Sequence, residues 1–140
     1  MAADPRIVDE LGSTDLFAGI RRKALKAIAS YAHVVSHAPG EEVTEEGRRG
    51  LGFHLIREGT ATVTVGGHDR RSLGPGEYFG EISLIDGLPR SATVRAATPL
   101  TTIALTSWTF LPLLDEYPEV SKRLLEVMCA RLRAVEQSER

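Results

Sequence analysis

Residues 79–96 read FGEISLIDGLPRSATVRA. A Gly-Glu pair opens the stretch, an apolar turn follows, and Pro89-Arg90-Ser91 closes it. Gly80 removes a side chain where a ligand or a second backbone comes close. If the segment from Glu81 to Ile85 starts a helical turn, its first N–H groups have no intrahelical acceptor and form a ready anion site. Arg90, nine residues after Glu81, can reach back over that turn. Its guanidinium is a planar fork matched to two phosphate oxygens, a geometry lysine does not reproduce. A carboxylate beside a phosphate is repulsive unless it faces another part of the ligand, and a sugar hydroxyl is the obvious donor for Glu81. An Arg and a Glu in one small loop therefore suggest a sugar phosphate or a nucleotide. The same two residues also read as a surface ion pair across a hairpin, worth little. Residue types alone leave these readings level.

Outward from this stretch, the chain changes texture twice. Asp4 before Pro5 reads as an N-cap with proline at the first helical position, and Ile7, Val8 and Leu11 keep helical spacing up to Gly12. Leu16, Phe17, Ile20, Leu25, Ile28 and Ala32 extend that spacing, so helices are expected over about 4–35. The cluster of Arg21, Arg22, Lys23 and Lys26 reads as their solvated face rather than a nucleic-acid arm. Past Pro39-Gly40 come short β-branched segments with glycine signals every 8 to 12 residues, the mark of antiparallel strands over about 36–106. Gly66-Gly67 reads as a hairpin turn. Helical spacing then returns over about 107–138, where Val120, Leu124, Val127, Met128, Leu132 and Val135 form one stripe after Pro118.

The 140 residues suit a single domain spanning 1–140, with no repeat or linker. Seventeen basic against nineteen acidic residues give a net charge of −2, so no global field draws nucleic acid or an anionic membrane, and any anion site is local. Cys129, the single cysteine, excludes an intrachain disulfide and reads as a buried free thiol in a helix. No apolar run approaches the ~20 residues that span a bilayer and no signal peptide opens the chain, so the expected compartment is the cytoplasm. The initial Met followed by Ala-Ala-Asp-Pro favours a natural N-terminus.

The stretch FGEISLIDGLPRSATVRA resembles the phosphate-binding cassette of the cyclic nucleotide-binding domain family, in the form found in regulatory subunits of the cyclic-AMP-dependent protein kinase. APGEEVTEEG, FHLIREGTATVTV and LGPGEYFGE fall in the family's order, and the likeness covers roughly residues 14 to 135. The resemblance implies a mainly β fold, an antiparallel jelly-roll β-barrel (a double-stranded β-helix) with N-terminal helices and a C-terminal helical pair. It implies that Arg90 holds the exocyclic oxygens of the cyclic phosphate and that Glu81 accepts from the ribose 2′-hydroxyl. Gly80, Ile82, Ser83 and Ser91 would complete the cassette, with backbone N–H groups from Gly80, Ser83 and Ser91. Val63 would pack against the base, although a valine in a strand is also ordinary core. The implied ligand is cAMP, or cGMP, since a hydroxyl residue after the cassette arginine occurs with either. No cofactor is implied.

In similar domains an apolar residue at the end of the cassette, here Leu84 or Ile85, contacts the helix after the strands, here around Trp108, Phe110 and Leu111. Ligand binding would then move the C-terminal helices and offer a surface to an effector protein or a fused output domain. The chain itself would be a monomer, or a homodimer through its last helix. Arg131 or Arg133 would serve as the base lid, unless they only face solvent. Bacterial regulators of this family append a DNA-reading helix-turn-helix after the last helix, and none is seen before Arg140, so this chain alone is not expected to read nucleic acid. The alternative is an interaction domain of the same fold that binds no nucleotide. Catalysis is not expected. Metal-dependent enzymes of jelly-roll type need clustered His and carboxylate ligands. His33, His37, His54 and His68 instead read as scattered over a helix, a loop, a strand and a turn.

Overall fold

The structure, a computed structural model, describes residues 3–44, 52–88 and 92–139. Its elements run α1 (Pro5–Gly12), α2 (Arg22–Ala29), β1 (His33–His37), β2 (Glu42–Thr44), β3 (Gly52–Glu58), β4 (Ala61–Val65), β5 (His68–Leu73), β6 (Tyr78–Phe79), α3 (Glu81–Asp86), β7 (Thr93–Ala96), β8 (Leu100–Thr106), α4 (Ser107–Glu116) and α5 (Pro118–Ser138). They fall into two compact units, one of residues 31–111 and one of residues 1–30 with 112–140.

The 31–111 unit carries two antiparallel four-stranded sheets, ordered β1-β8-β3-β6 and β2-β7-β4-β5. This is the jelly-roll arrangement of strands with flanking helices. Among the described residues no ladder joins the two sheets, so they face each other without closing into a continuous barrel. Ile56 of β3, Ala61 and Val63 of β4, Leu73 of β5, Phe79 of β6, Val94 and Ala96 of β7 and Leu100 of β8 form one buried apolar cluster contributed by both sheets.

Alternation explains β4. Ala61 and Val63 are buried while Thr62 and Thr64 are half-exposed, the period-two signature of a strand with one face in the core. β5 carries His68, Asp69, Arg70 and Arg71 exposed, and charge of this kind keeps an edge strand from pairing with another chain. Gly66-Gly67 joins β4 to β5 with φ of 59° and 78°, the positive dihedrals that a two-residue hairpin loop requires.

The first helical region is shorter than its spacing suggests. α1 is capped by the Asp4 side chain, which accepts from Arg6 N–H, and it ends at Gly12. Residues 13–19 form turns rather than a helix, with the Thr14 hydroxyl accepting from Phe17 N–H. Helix resumes only at Arg22 and stops at Ala29, and His33 to Val35 lie in β1. The run from Ala32 to Val34 keeps helical spacing by chance, but two consecutive valines favour a pleated strand that can pair with β8. His33 and His37 thus bound a strand, and His68 begins one, instead of occupying a helix, a loop and a turn.

Within the other unit, Arg22 pairs with Asp9 at 2.9 Å, Arg123 donates twice to the Asp15 carbonyl and Arg21 pairs with Glu119. The stripe on α5 divides: Val120, Leu124 and Val127 are buried, while Leu132 and Val135 are exposed, and Cys129, expected to be buried, is exposed on the same helix. Hydrogen bonding from the Arg21 guanidinium holds the Glu119 carboxyl below the usual carboxylate range. Such a carboxylate contributes stability that is present above its unfolded pKa and is lost as pH falls through the lower folded value. The gap in denaturation midpoint between wild type and Glu119→Gln should therefore be present at pH 7 and close below about pH 4. A gap of constant size down to pH 3 would contradict this account of the pair.

Candidate functional site

Register places one row of side chains across the whole second sheet. Thr44 of β2 is opposite Val94 of β7, Val94 is opposite Val63 of β4, and Val63 is opposite Arg71 of β5. Directly opposed residues share a face, so these four point the same way. With strands ~4.8 Å apart, the row is about 14 Å long. All four residues line a single cavity of ≈ 90 Å³, together with Ala92 and the continuous segment Phe79, Gly80, Glu81, Ile82 and Ser83.

That second wall is the corner where β6 turns into α3. Gly80 sits at the corner with φ 84° and ψ 9°, a left-handed conformation, and its carbonyl accepts from Leu84 N–H at 3.0 Å. Phe79 before it and Ser83 and Leu84 after it are buried, which anchors the corner on both sides. α3 packs against β3. Glu81 is half-buried, with its Oε2 atom shielded from solvent, whereas Ile82 is exposed.

The structure thus brings Val63, Gly80, Glu81, Ile82 and Ser83 of the sequence reading around one cavity. Arg90 and Ser91 lie outside the described residues. Arg131 is half-buried and Arg133 exposed, both on α5.

Sequence reasoning missed Arg71, Thr44, Ala92 and Phe79. Arg71 brings a guanidinium to the cavity rim, exposed at the end of the row. An ordinary two-residue hairpin closed at Val65 and His68 sets Arg70 opposite Val63. A register shift between Val63 and Thr64 inserts one extra residue in β5 and substitutes Arg71. No group of three or more His, Cys, Asp or Glu able to hold a metal ion occurs among the described residues. Among the same residues no helix is long and apolar enough to cross a membrane.

Residues 34–117 match the family model described as the cyclic nucleotide-binding domain. The chain belongs to this family. It is 41% identical over 96 residues to a cAMP-dependent protein kinase regulatory subunit from Yarrowia lipolytica, covering 67% of this chain and 23% of that protein. It is 32% identical over 95 residues to a cGMP-dependent protein kinase from Eimeria tenella, covering 68% of this chain and 10% of that protein. Among solved structures, the N-terminal domain of a transcriptional regulator from Streptomyces coelicolor A3(2) superposes with a TM-score of 0.82 at 28% identity, covering 94% of this chain and 96% of the other. The chain therefore spans under a quarter of these two kinase-related proteins but nearly all of the bacterial domain.

Within the cyclic nucleotide-binding domain, the Gly80 corner tests the geometry most directly. An alanine there must hold a left-handed backbone, at a cost of about 1 to 2 kcal/mol. Gly80→Ala should lose that amount in urea denaturation, and an unchanged midpoint would mean that the corner relaxes to an ordinary conformation.

Proposed function

We propose that the chain is a cyclic nucleotide sensor whose ligand lies along the Thr44 to Arg71 row, with its phosphate in the cassette and its base toward Val63. The observation that carries this reading is the single cavity that gathers Val63 and the segment from Gly80 to Ser83 in a member of the cyclic nucleotide-binding domain family. Arg90 neutralises the cyclic phosphate, with Ser91 beside it. Glu81 accepts from the ribose 2′-hydroxyl, and one of its oxygens is already withdrawn from water. Binding is the whole of the activity, without catalysis or a cofactor, in the cytoplasm.

The ligand is cAMP on the first reading, which the likeness to a cAMP-dependent protein kinase regulatory subunit supports. A second reading, cGMP, has its own support in Arg71. A guanidinium offers donors only, and guanine presents two acceptors, O6 and N7, to such a fork, whereas adenine pairs N7 with an amino donor. Arg71, directly opposite Val63, stands where it meets that edge if the base packs on Val63.

The output is movement of the C-terminal helices, with the units 31–111 and 1–30 plus 112–140 acting as one sensing domain. Pro112 supports a hinge: it has no N–H for the Trp108 carbonyl, and the boundary between the compact units falls at that residue inside α4. Exposed Leu125, Leu132 and Val135 on α5 then serve an effector, a fused output domain or a second copy of the chain.

Calorimetric titration decides the reading. Wild-type protein should bind cAMP or cGMP, and Arg90→Leu should weaken binding at least a hundredfold, because charge-assisted hydrogen bonds contribute about 1.5 to 3 kcal/mol each. No heat with either nucleotide up to millimolar concentration would sink the sensor and leave the interaction domain. Arg71→Ala should cost cGMP roughly five- to tenfold and leave cAMP nearly unchanged if Arg71 reads guanine. Equal losses for both nucleotides would remove the argument for the second reading.

A further inference from the structure

A second cavity, of ≈ 460 Å³, is lined entirely by the unit of residues 1–30 and 112–140 and shares no residue with the candidate ligand site. Its volume falls in the range of roughly 300 to 1,000 Å³ found for small-molecule pockets. Lys23, Lys26 and Ala27, with the capping residue Ser30, stand at positions i, i+3, i+4 and i+7, so they share one face of α2. Ala3 and Pro5 at the start of α1 and Tyr117 at the junction of α4 and α5 complete the lining.

Three polar groups in this lining have no partner among the described residues. The Lys23 and Lys26 ammonium groups make no ion pair or hydrogen bond there, whereas the preceding Arg21 and Arg22 are paired with Glu119 and Asp9. Tyr117 is only 9% exposed, yet its hydroxyl meets no hydrogen-bond partner among the same residues. A phenol in that position is tolerated where solvent or a ligand reaches it, and this cavity is the opening that Tyr117 lines. No carboxylate lines the cavity to compete for these donors. Of the acidic residues adjacent in sequence, Asp4 accepts from Arg6 N–H and Glu119 is held by Arg21.

We propose that this cavity binds a small organic phosphate monoester, its phosphate on Lys23, Lys26 and the Tyr117 hydroxyl and its body against Ala3, Pro5 and Ala27. Charge decides the class. Two ammonium groups match a phosphate monoester, which carries about −1.5 to −2 near pH 7, better than they match a carboxylate with a single charge. Lysine binds phosphate as a point charge on a flexible stem, so two lysines converge on one group without the planar fork of an arginine. Ser30 gives its hydroxyl hydrogen to the Ala27 carbonyl at 2.7 Å, so it offers a ligand only an acceptor and stays outside the anion's cradle. Inorganic phosphate alone would leave the apolar part of the lining uncovered, which is why an ester is favoured. Tyr117 stands where α4 gives way to α5, so a phosphate bridging it to α2 fastens the start of α5 to α2, the same part of α5 that Arg21 ties down through Glu119.

The inference is independent of the nucleotide site, and phenyl phosphate is the probe that tests it. In amide NMR of the full chain, residues 23–30 and 117 should shift saturably with phenyl phosphate, and benzoate or inorganic phosphate should bind there at least about threefold more weakly. The double variant Lys23→Gln/Lys26→Gln, at two exposed positions, should weaken binding roughly tenfold. Tyr117→Phe keeps the buried ring and removes only the hydroxyl, and should weaken it about fivefold. Raising salt from about 50 to 300 mM should weaken binding to the wild type. Absence of saturation up to roughly 10 mM probe, or equal affinity in wild type and both variants, overturns the site. Shifts confined to residues 79–83 and abolished by Arg90→Leu mean that the probe enters only the Gly80 corner, and they overturn it too. Shifts of residues 23–30 and 117 that persist in Arg90→Leu support it.

Discussion

The register of β4 is the constraint on which the 31–111 unit depends. β4 is paired on both sides, to β7 and to β5, and its alternate residues belong to different environments. Slipping it by one residue would send Thr62 and Thr64 into the apolar cluster and turn Ala61 and Val63 to solvent. Burying two hydroxyls without partners costs about 1 to 3 kcal/mol each, so the correct register is strongly preferred. Once it is set, Val63 must stand in the row between Val94 and Arg71. The cavity floor follows from packing rather than from any requirement of a ligand.

The opposite wall has a different origin. Phe79 and Leu84 are held by burial, and the chain between them must reverse direction within a few residues. A left-handed Gly80 achieves this, leaving Glu81 at the cavity instead of in the core. The apolar cluster and the cavity lining therefore share residues: Phe79, Val63 and Val94 belong to both. Anything pressing on this cavity presses on the core, and the His54 ring, opposite Phe79 on the neighbouring strand, stacks against the same side chain.

Where local pattern and tertiary pairing agree, the architecture was legible before any coordinates. The alternation of ATVTV, the Gly66-Gly67 loop, Pro118 at the start of α5 and the FGE corner all carry their own conformational signals, and the order helices, strands, helices follows from them. The misreadings arise where pairing overrides spacing. Ala32 to Val34 fit a helical period, but β8 offers an unpaired edge and the segment joins it as β1. Residues 13–19 contain enough apolar groups for a helix, yet side-chain hydrogen bonds such as that of Thr14 divert the backbone into turns. Arg71 was illegible for a sharper reason. A single inserted residue in β5 exchanges one arginine of an Arg-Arg pair for the other, and nothing in the composition of HDRRSL marks which one is extra. The contacts of the Thr102 hydroxyl with His37 and His54 were equally hidden, since the three residues come from three strands, β8, β1 and β3.

Size is the last physical clue to how such a site acts. The cavity of ≈ 90 Å³ is well below the roughly 300 to 1,000 Å³ of pockets that enclose a drug-sized ligand. On the proposed reading, a nucleotide laid along the ~14 Å row would be embraced by the described residues on its sheet side and at the Gly80 corner, and would gain further contacts from any group that moves over it. A ligand that is incompletely enclosed gains free energy from any movement that covers it, and that gain is the difference in affinity between two conformations that a population shift requires. Had the same residues formed a closed, preformed vault, binding would have been tighter in the resting state and would have had less to transmit. In the proposed sensor, a site whose walls are also core residues would convert binding into rearrangement, because covering the ligand and repacking around Phe79 and Val63 would be the same event.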